Sequence, residues 1–347
     1  MKRLFAFFLA LVLAFAPALV SAAPEISASS YILIEAQTGK ILAAHNAHTQ
    51  RPVASTTKIL TALIILEQPG IHERFTVDSG AIRVEGTSMG LREGDEVSLY
   101  DLAGGMLTAS GNDAANAAAV KIDGSLSAFA DRMNARAAKI GMENSHFVTP
   151  SGLHDEAHYS TAYDMALLTR EALKNRDFAK LCGQERVSLF FGAPPYTRTL
   201  ENHNRLLKTL DGCIGVKTGF TKAAGRCLVS AAERNGITLI CVTLHAPDDW
   251  NDHAKLYETG FSQVKRRAVM PQVGDIAIPK ADGGTVFVES LAPLSTVLTE
   301  EEWAECTREV ECMPFLYETQ SGEYVGDAVY YRDGREVGRV PLVARTK

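Results

Sequence analysis

The sequence predicts an α+β fold: an antiparallel sheet covered by helices, with a helical subdomain, followed by a small all-β domain. Three observations lead there. The chain has 347 residues, 46% apolar and 22% charged, enough for a large core in one big domain plus a smaller one. Its hydrophobic period is helical over about residues 98 to 185 and turns strand-like from about residue 212. Beyond about residue 266 the alternation continues around Gly283-Gly284 and Asp333-Gly334, two hairpin signals.

The chain opens with MKRLFAFFLALVLAFAPALVSAAPE, in which two cations precede an apolar run from Leu4 to about Val20 and a small-residue ending. That pattern predicts a secretory signal over residues 1–23, so the mature protein is expected to be exported. No later segment approaches the ~20 apolar residues that span a bilayer. Next, SYILIEAQTGKILAAHNAH alternates on either side of Gln37-Thr38-Gly39 and predicts a hairpin. A helix follows in which Ile59, Leu60 and Ala62 to Leu66 leave almost no polar face, which marks it as buried, and Pro69-Gly70 stops it.

Four helices are expected in the middle of the chain: an alanine-rich pair in LYDLAGGMLTAS and NDAANAAAVKI, then SLSAFADRMNARAAKIG and TAYDMALLTREALKN. Between the last two, NSHFVTPSGLHDEAHYS reads as a polar loop of the kind that carries function on a rigid scaffold. GCIGVKTG, RCLVSAAERNG and ITLICVTLHA read as three successive strands, and NDHAKLYETGF as a closing helix. The large domain is placed at residues 24–265 and the β-rich domain at 266–347.

The formal net charge of −6 without a basic cluster argues against nucleic acid and anionic lipid as partners. Export permits disulfides among the six cysteines, and Cys213–Cys227 and Cys306–Cys312 are the expected pairs. No CxxC or clustered His/Cys spacing suggests a metal, and no cofactor is expected.

Three short motifs carry chemistry. Ser55 and Lys58 stand at i and i+3 ahead of the buried run, so hydroxyl and amine share a helix face at its positive end. A desolvated lysine can take the proton of a serine nucleophile. Alone, the pair reads better as an N-cap with a surface cation, and SQVK at Ser262 to Lys265 matches the same spacing at the end of a helix without an apolar run. SGND, with Ser110 and Asn112, offers a hydroxyl for a proton relay and an amide for a substrate backbone, or simply a helix cap. In KTG, Lys217 and Thr218 on a strand edge suit a carboxylate and Gly219 a close backbone approach, against the plainer reading of a strand end with a turn. S-x-x-K, S-x-N and K-T-G together are the signature of penicillin-binding proteins and class A β-lactamases, and here they occur in that order.

With these motifs and the segments SMGLREGDEVSLYDLAGGMLTASGNDAANAAA and HFVTPSGLHDEAHYSTAYDMALLTR, the chain resembles the low-molecular-mass penicillin-binding proteins of the D-alanyl-D-alanine carboxypeptidase type over about residues 25 to 265. The resemblance implies a β-lactamase/transpeptidase-like domain. It also implies that Ser55 attacks the penultimate D-alanine of a peptidoglycan stem peptide ending in D-Ala-D-Ala and that Lys58 takes the proton. Ser110, near the Lys58 amine, would pass that proton to the departing D-alanine, and Asn112 would hold the peptide. Lys217 and Thr218 would bind the terminal carboxylate, and the N–H groups of Ser55 and of Phe220, just after Gly219, would form the oxyanion hole. β-Lactams are then covalent inhibitors.

There are departures. An arginine that some relatives use on the carboxylate has no counterpart in LHAPDDWNDHAKL, and His203 stands where some relatives place a basic side chain. The chain ends in RVPLVARTK, which alternates like a strand where relatives commonly carry an amphipathic anchor, so peripheral membrane and cell-wall association both stay open. Other functions compete with the carboxypeptidase. A class A β-lactamase needs a deacylating glutamate in E-x-x-L-N, to which only EALKN at Glu171 comes near. A D,D-transpeptidase or endopeptidase differs only in acceptor or leaving group, and a non-catalytic peptidoglycan-binding protein would not need the three motifs intact.

Overall fold

Residues 25–270, 276–281, 283–290, 292–317 and 320–345 are described by the structure, a computed structural model. The predicted signal, residues 1–23, lies outside the described residues. The first alternating runs form β1 (Ser30–Glu35) and β2 (Ile41–His45), the expected antiparallel hairpin. Ala54–Thr57 makes one 3-10 turn, from which α1 (Lys58–Leu66) continues. All nine α1 residues are buried, Lys58 among them. Burial of each large aliphatic side chain contributes about 1.5–3 kcal/mol, which holds the helix, and the turn that starts it, in one place.

After two short strands, β3 (Arg74–Thr76) and β4 (Glu96–Ser98), come α2 (Leu99–Thr108), α3 (Asn112–Asp123), α4 (Leu126–Ile140), α5 (Ala162–Ala172) and α6 (Arg176–Cys182). Ser98 and Asp101 cap α2 reciprocally, and Gly141 in the left-handed region closes α4, as its position after the last periodic residue predicts. The hairpin of β5 (Arg186–Gly192) and β6 (Pro195–Glu201) is one that the sequence pattern does not predict. It joins β3 and β4 in a four-stranded sheet of order β3-β4-β5-β6. Its tip, Gly192 to Pro195, lacks the Asn-Gly or Asp-Gly signal, and β3 and β4 are too short to show a period.

After α7 (Leu206–Thr209) the three predicted strands form: β7 (Cys213–Thr221), β8 (Gly225–Arg234) and β9 (Ile237–Leu244), followed by α8 (Asp249–Gln263). The five-stranded antiparallel sheet has the order β2-β1-β9-β8-β7, so β7 is an edge. Side-chain parity along β8 shows its two faces: Cys227 points toward Pro52 beside the 3-10 turn, whereas Ser230 meets His253 and Tyr257 of α8. Ser230 and His253 bond at 2.6 Å, but both are wholly buried, and burial pushes the imidazole down to about 3. This serine–histidine pair therefore ties α8 to the sheet.

The remainder builds β10 (Arg267–Val269), β11 (Ala277–Pro279), β12 (Thr285–Glu289), β13 (Leu294–Thr296), α9 (Glu300–Ala304), β14 (Thr307–Cys312), β15 (Tyr324–Arg332) and β16 (Arg335–Arg345). Its sheet has the order β11-β12-β16-β15-β14 and a core of its own around Val325, Ala328 and Leu342. Asp333 and Gly334, both at positive φ, make the expected tight turn. The five-residue α9 is an addition to an otherwise all-β unit, started by a Thr299–Glu302 capping box.

Neither expected disulfide is formed, and all six thiols are free. Pairing of β7 with β8 sets Cys227 opposite Gly219, six residues along an extended strand from Cys213. Cys306 and Cys312 are likewise separated by the length of β14. Six extended residues span about 20 Å, whereas a disulfide needs Cα atoms within about 7 Å.

Candidate active site

A cleft of about 550 Å³ runs between the free edge of β7 and the helical subdomain. Six of the eight site residues read from the sequence line it: Ser55, Ser110, Asn112, Thr218, Gly219 and Phe220. Lys58 and Lys217, 0% and 1% exposed, lie behind that lining. Because β7 pairs only with β8, the backbone groups on its other side face the cleft, where an extended peptide can meet them.

The Lys58 amine makes three hydrogen bonds: to Ser55 Oγ at 2.9 Å, Asn112 Oδ1 at 2.7 Å and the Ser151 carbonyl at 2.7 Å. Two of these partners can only accept. A neutral amine has two N–H bonds and one lone pair, so once Asn112 and Ser151 take the hydrogens the lone pair is left aimed at the Ser55 hydroxyl. The amine is held well below its ordinary range, first by burial and then by the neighbouring Lys217 cation, with Asp113 opposing. The helix that desolvates Lys58 thus also sets its amine against the Ser55 hydroxyl, the placement a general base needs.

The Ser151 carbonyl is set by the polar loop that the sequence marks as functional. Thr61 Oγ1 donates to Pro150 O at 2.7 Å, and Thr57 Oγ1 lies 2.8 Å from His158 Nε2. His158 Nδ1 accepts from the N–H groups of Val148 and Thr149, so Nε2 carries the hydrogen and donates to Thr57. Burial lowers this imidazole to about 4, which keeps it neutral in that role. Gly152, at φ +78°, passes so close to the Ala54 carbonyl that a Cβ would collide with it.

Ser110 lines the same cleft as Ser55 and Asn112. Its backbone sits at φ +60°, a region serine rarely adopts, and its carbonyl accepts from Thr87 Oγ1 at 2.6 Å. Its side chain lines the cleft, but the third bond of the Lys58 amine goes to Ser151 instead. That partner is a backbone carbonyl of a loop residue outside the three motifs, and the Ser110 hydroxyl is presented to the cleft. Asn112, besides accepting from Lys58, donates Nδ2–H to Glu85 O at 2.7 Å, which leaves its second N–H for a peptide.

The organiser of this corner is Asp113, a residue of SGND to which the sequence assigns no role. Only 2% exposed, it accepts from Ser88 Oγ and from the backbone N–H groups of Met89, Gly90, Leu91 and Ala114. It thereby fixes the loop whose Glu85 and Thr87 hold Asn112 and Ser110. Since Asp113 raises the Lys58 pKa and Lys217 lowers it, the two can be removed in opposition. Asp113→Asn is expected to move the acid limb of penicillin acylation to lower pH, and Lys217→Met to higher pH. Stopped-flow acylation across the neutral range reads both, and limbs moving in the same direction would count against opposed electrostatic control of Lys58.

On β7, Gly219 explains itself: a Cβ there would lie 3.1 Å from Ser55 N and 3.0 Å from Thr56 N, both backbone atoms that cannot yield. Glycine lets the strand edge approach the nucleophile's own N–H, as an oxyanion hole shared between Ser55 and Phe220 requires. Lys217 donates to Thr218 O at 2.8 Å, and burial brings its amine down to about 7. Beside it His203 also lines the cleft, its pKa lowered by burial and by Lys217. The stretch that lacks the relatives' arginine contributes Asp249 and Trp250 to the cleft wall, and both contact Arg226 of β8. Glu171, the near match to a deacylating glutamate, is engaged by Arg136 and Lys174 and does not line the cleft.

A family model described as D-alanyl-D-alanine carboxypeptidase, peptidase S11, matches residues 18–248. Over 338 residues the sequence is 31% identical to D-alanyl-D-alanine carboxypeptidase DacF of Bacillus subtilis, covering 92% of this chain and 85% of that protein. The crystal structure of the D-alanyl-D-alanine carboxypeptidase DacD from Francisella tularensis matches 94% of each chain at 27% identity with a TM-score of 0.66. The DD-transpeptidase of Streptomyces K15 matches 70% of this chain and 99% of its own at 31% identity, also with a TM-score of 0.66.

Proposed function

Because the chain belongs to the D-alanyl-D-alanine carboxypeptidase family of serine peptidases, we propose that Ser55 is its acylated nucleophile and Lys58 the base for both half-reactions. The enzyme removes the terminal D-alanine from peptidoglycan stem peptides and is a target of β-lactams. Ser55 Oγ attacks the carbonyl carbon of the penultimate D-alanine as its proton passes to Lys58 Nζ. The developing oxyanion is met by the Ser55 and Phe220 N–H groups beside Gly219. Collapse breaks the C–N bond, and the departing amine takes up the proton across the Ser110 hydroxyl at the cleft wall. Water then attacks the ester carbonyl, giving its proton to Lys58, and as the bond to Ser55 Oγ breaks Lys58 returns that proton to the serine and the shortened peptide is released. Asn112 holds the peptide backbone by its second N–H, and Thr218, with Lys217 behind it, faces the terminal carboxylate.

The observation that carries this reading is the Lys58 hydrogen-bond set, two obligate acceptors and one serine. The test is release of D-alanine from diacetyl-Lys-D-Ala-D-Ala, followed by intact mass after penicillin. Release, with penicillin mass on the tryptic peptide containing Ser55, supports it; neither signal would sink it. The same substrate supports an extracytoplasmic location, on the wall or at the membrane face, with the N-terminal leader pointing the same way. Fractionation of cells expressing the full chain checks this, and recovery in the cytosol alone would refute it.

A further inference from the structure

The cleft wall nearest α8 holds a charged group that the reaction above does not use. In the register of β7 on β8, Thr218 lies opposite Leu228 and Phe220 opposite Arg226. Paired residues project to the same face, so Thr218, Phe220 and Arg226 share the face turned to α8, with Thr218 and Arg226 diagonal neighbours roughly 7–8 Å apart. Gly219, of opposite parity, faces Ser55. A peptide crossing the free edge of β7 with its scissile carbonyl at Ser55 therefore sends the group beyond that bond toward Thr218 and Arg226.

Arg226 is built into place. Its Nε and Nη2 donate to Asp249 Oδ1 at 3.0 and 2.6 Å, and its guanidinium lies 5.5 Å from the centre of the Trp250 ring. The Asp249 side chain is 4% exposed, whereas that of Arg226 remains 42% exposed. Two of the five guanidinium N–H bonds are spent on Asp249, and the rest are free for the cleft. Asp249 offsets part of the charge, so the selectivity comes mainly from donors fixed in direction. Lys217 is a poor substitute: its amine is sealed behind the lining and donates to Thr218 O, and near neutrality it is only partly charged. An arginine stays charged at every working pH.

We propose that Arg226, braced by Asp249 and Trp250, is the specificity-determining residue that selects peptides ending in a free carboxylate. This rests on the reaction assigned above, and the experiment separates the two. Wild-type enzyme, Arg226→Gln and Arg226→Lys are compared on diacetyl-Lys-D-Ala-D-Ala and on the same peptide ending in a carboxamide, following D-alanine and D-alaninamide. Arg226→Gln is expected to lower kcat/KM on the acid about 10- to 100-fold, chiefly through KM, as loss of a charge-assisted contact should. On the amide it is expected to stay within about twofold of wild type. Arg226→Lys, which keeps the charge but not the fork, should fall between, and it carries the test if Arg226→Gln proves unstable. Acid-over-amide discrimination equal to wild type in the folded variants, or equal losses on both peptides, overturns the role of Arg226. No D-alanine from the wild type refutes the reaction itself.

Discussion

Ser55→Ala is expected to abolish D-alanine release and penicillin acylation together, by roughly 10⁴-fold or more, because every covalent step of the proposed reaction starts at that oxygen. The substitution removes one hydroxyl within a 3-10 turn whose position is set by α1, so thermal stability is expected to change little. The contact it removes is the only one of the three Lys58 partners that can donate. The two obligate acceptors stay in place, and the amine stays where it is. Unaltered mass after penicillin, alongside an unfolding midpoint close to wild type, is the expected pair of results. Continued D-alanine release by this variant would overturn the assignment.

Lys58→Arg is expected to put a permanent cation where the reaction needs a neutral amine, and so to lose the chemistry. A guanidinium stays protonated at any pH the enzyme meets, so it has no lone pair to present to Ser55. Acylation is expected to fall roughly 10²- to 10⁴-fold, the usual contribution of a general base. It should not recover at high pH, whereas the wild type gains acylation as Lys58 deprotonates. The pocket is fully buried, so the larger, permanently charged group also strains the site, and the unfolding midpoint separates that effect from chemistry. The sharper readout is the shape of the pH profile. An acid limb that persists in the variant would assign the titration to another group.

The parts of the site legible in the sequence are those whose geometry is local. Ser55 and Lys58 are three apart on one helical path, and the apolar run after them, taken with the other two motifs, points to a desolvated lysine. Ser110 with Asn112, and Lys217 with Gly219, become informative through their order and their settings. The strand pattern around Lys217 is also enough to place it on the first of three successive strands, which form as β7, β8 and β9.

The residues that escape notice in the sequence act through atoms or neighbours that sequence does not distinguish. Ser151 and Glu85 contribute backbone carbonyls, which every residue type supplies. Asp113 stands in plain view inside SGND, yet its role is to gather four backbone N–H groups and one hydroxyl, four of the five from a loop more than twenty residues earlier. Arg226 looks like an ordinary strand residue until the register of β7 on β8 brings it beside Thr218. The two disulfide expectations fail for the same reason, since closeness in sequence along an extended strand is distance in space.

By itself, then, the sequence determined the fold class, the order of its main elements and the three motifs from which the nucleophile and base are proposed, because hydrophobic period and short spacings are properties of adjacent residues. Only the tertiary structure decided that the Lys58 amine meets Ser55, Asn112 and the Ser151 carbonyl, that Ser110 is not among these hydrogen-bond partners, and that a guanidinium from β8 lines the cleft. Those outcomes depend on how loops and strands far apart in the chain are brought within hydrogen-bond range, and burial at that meeting point turns an ordinary lysine into a base.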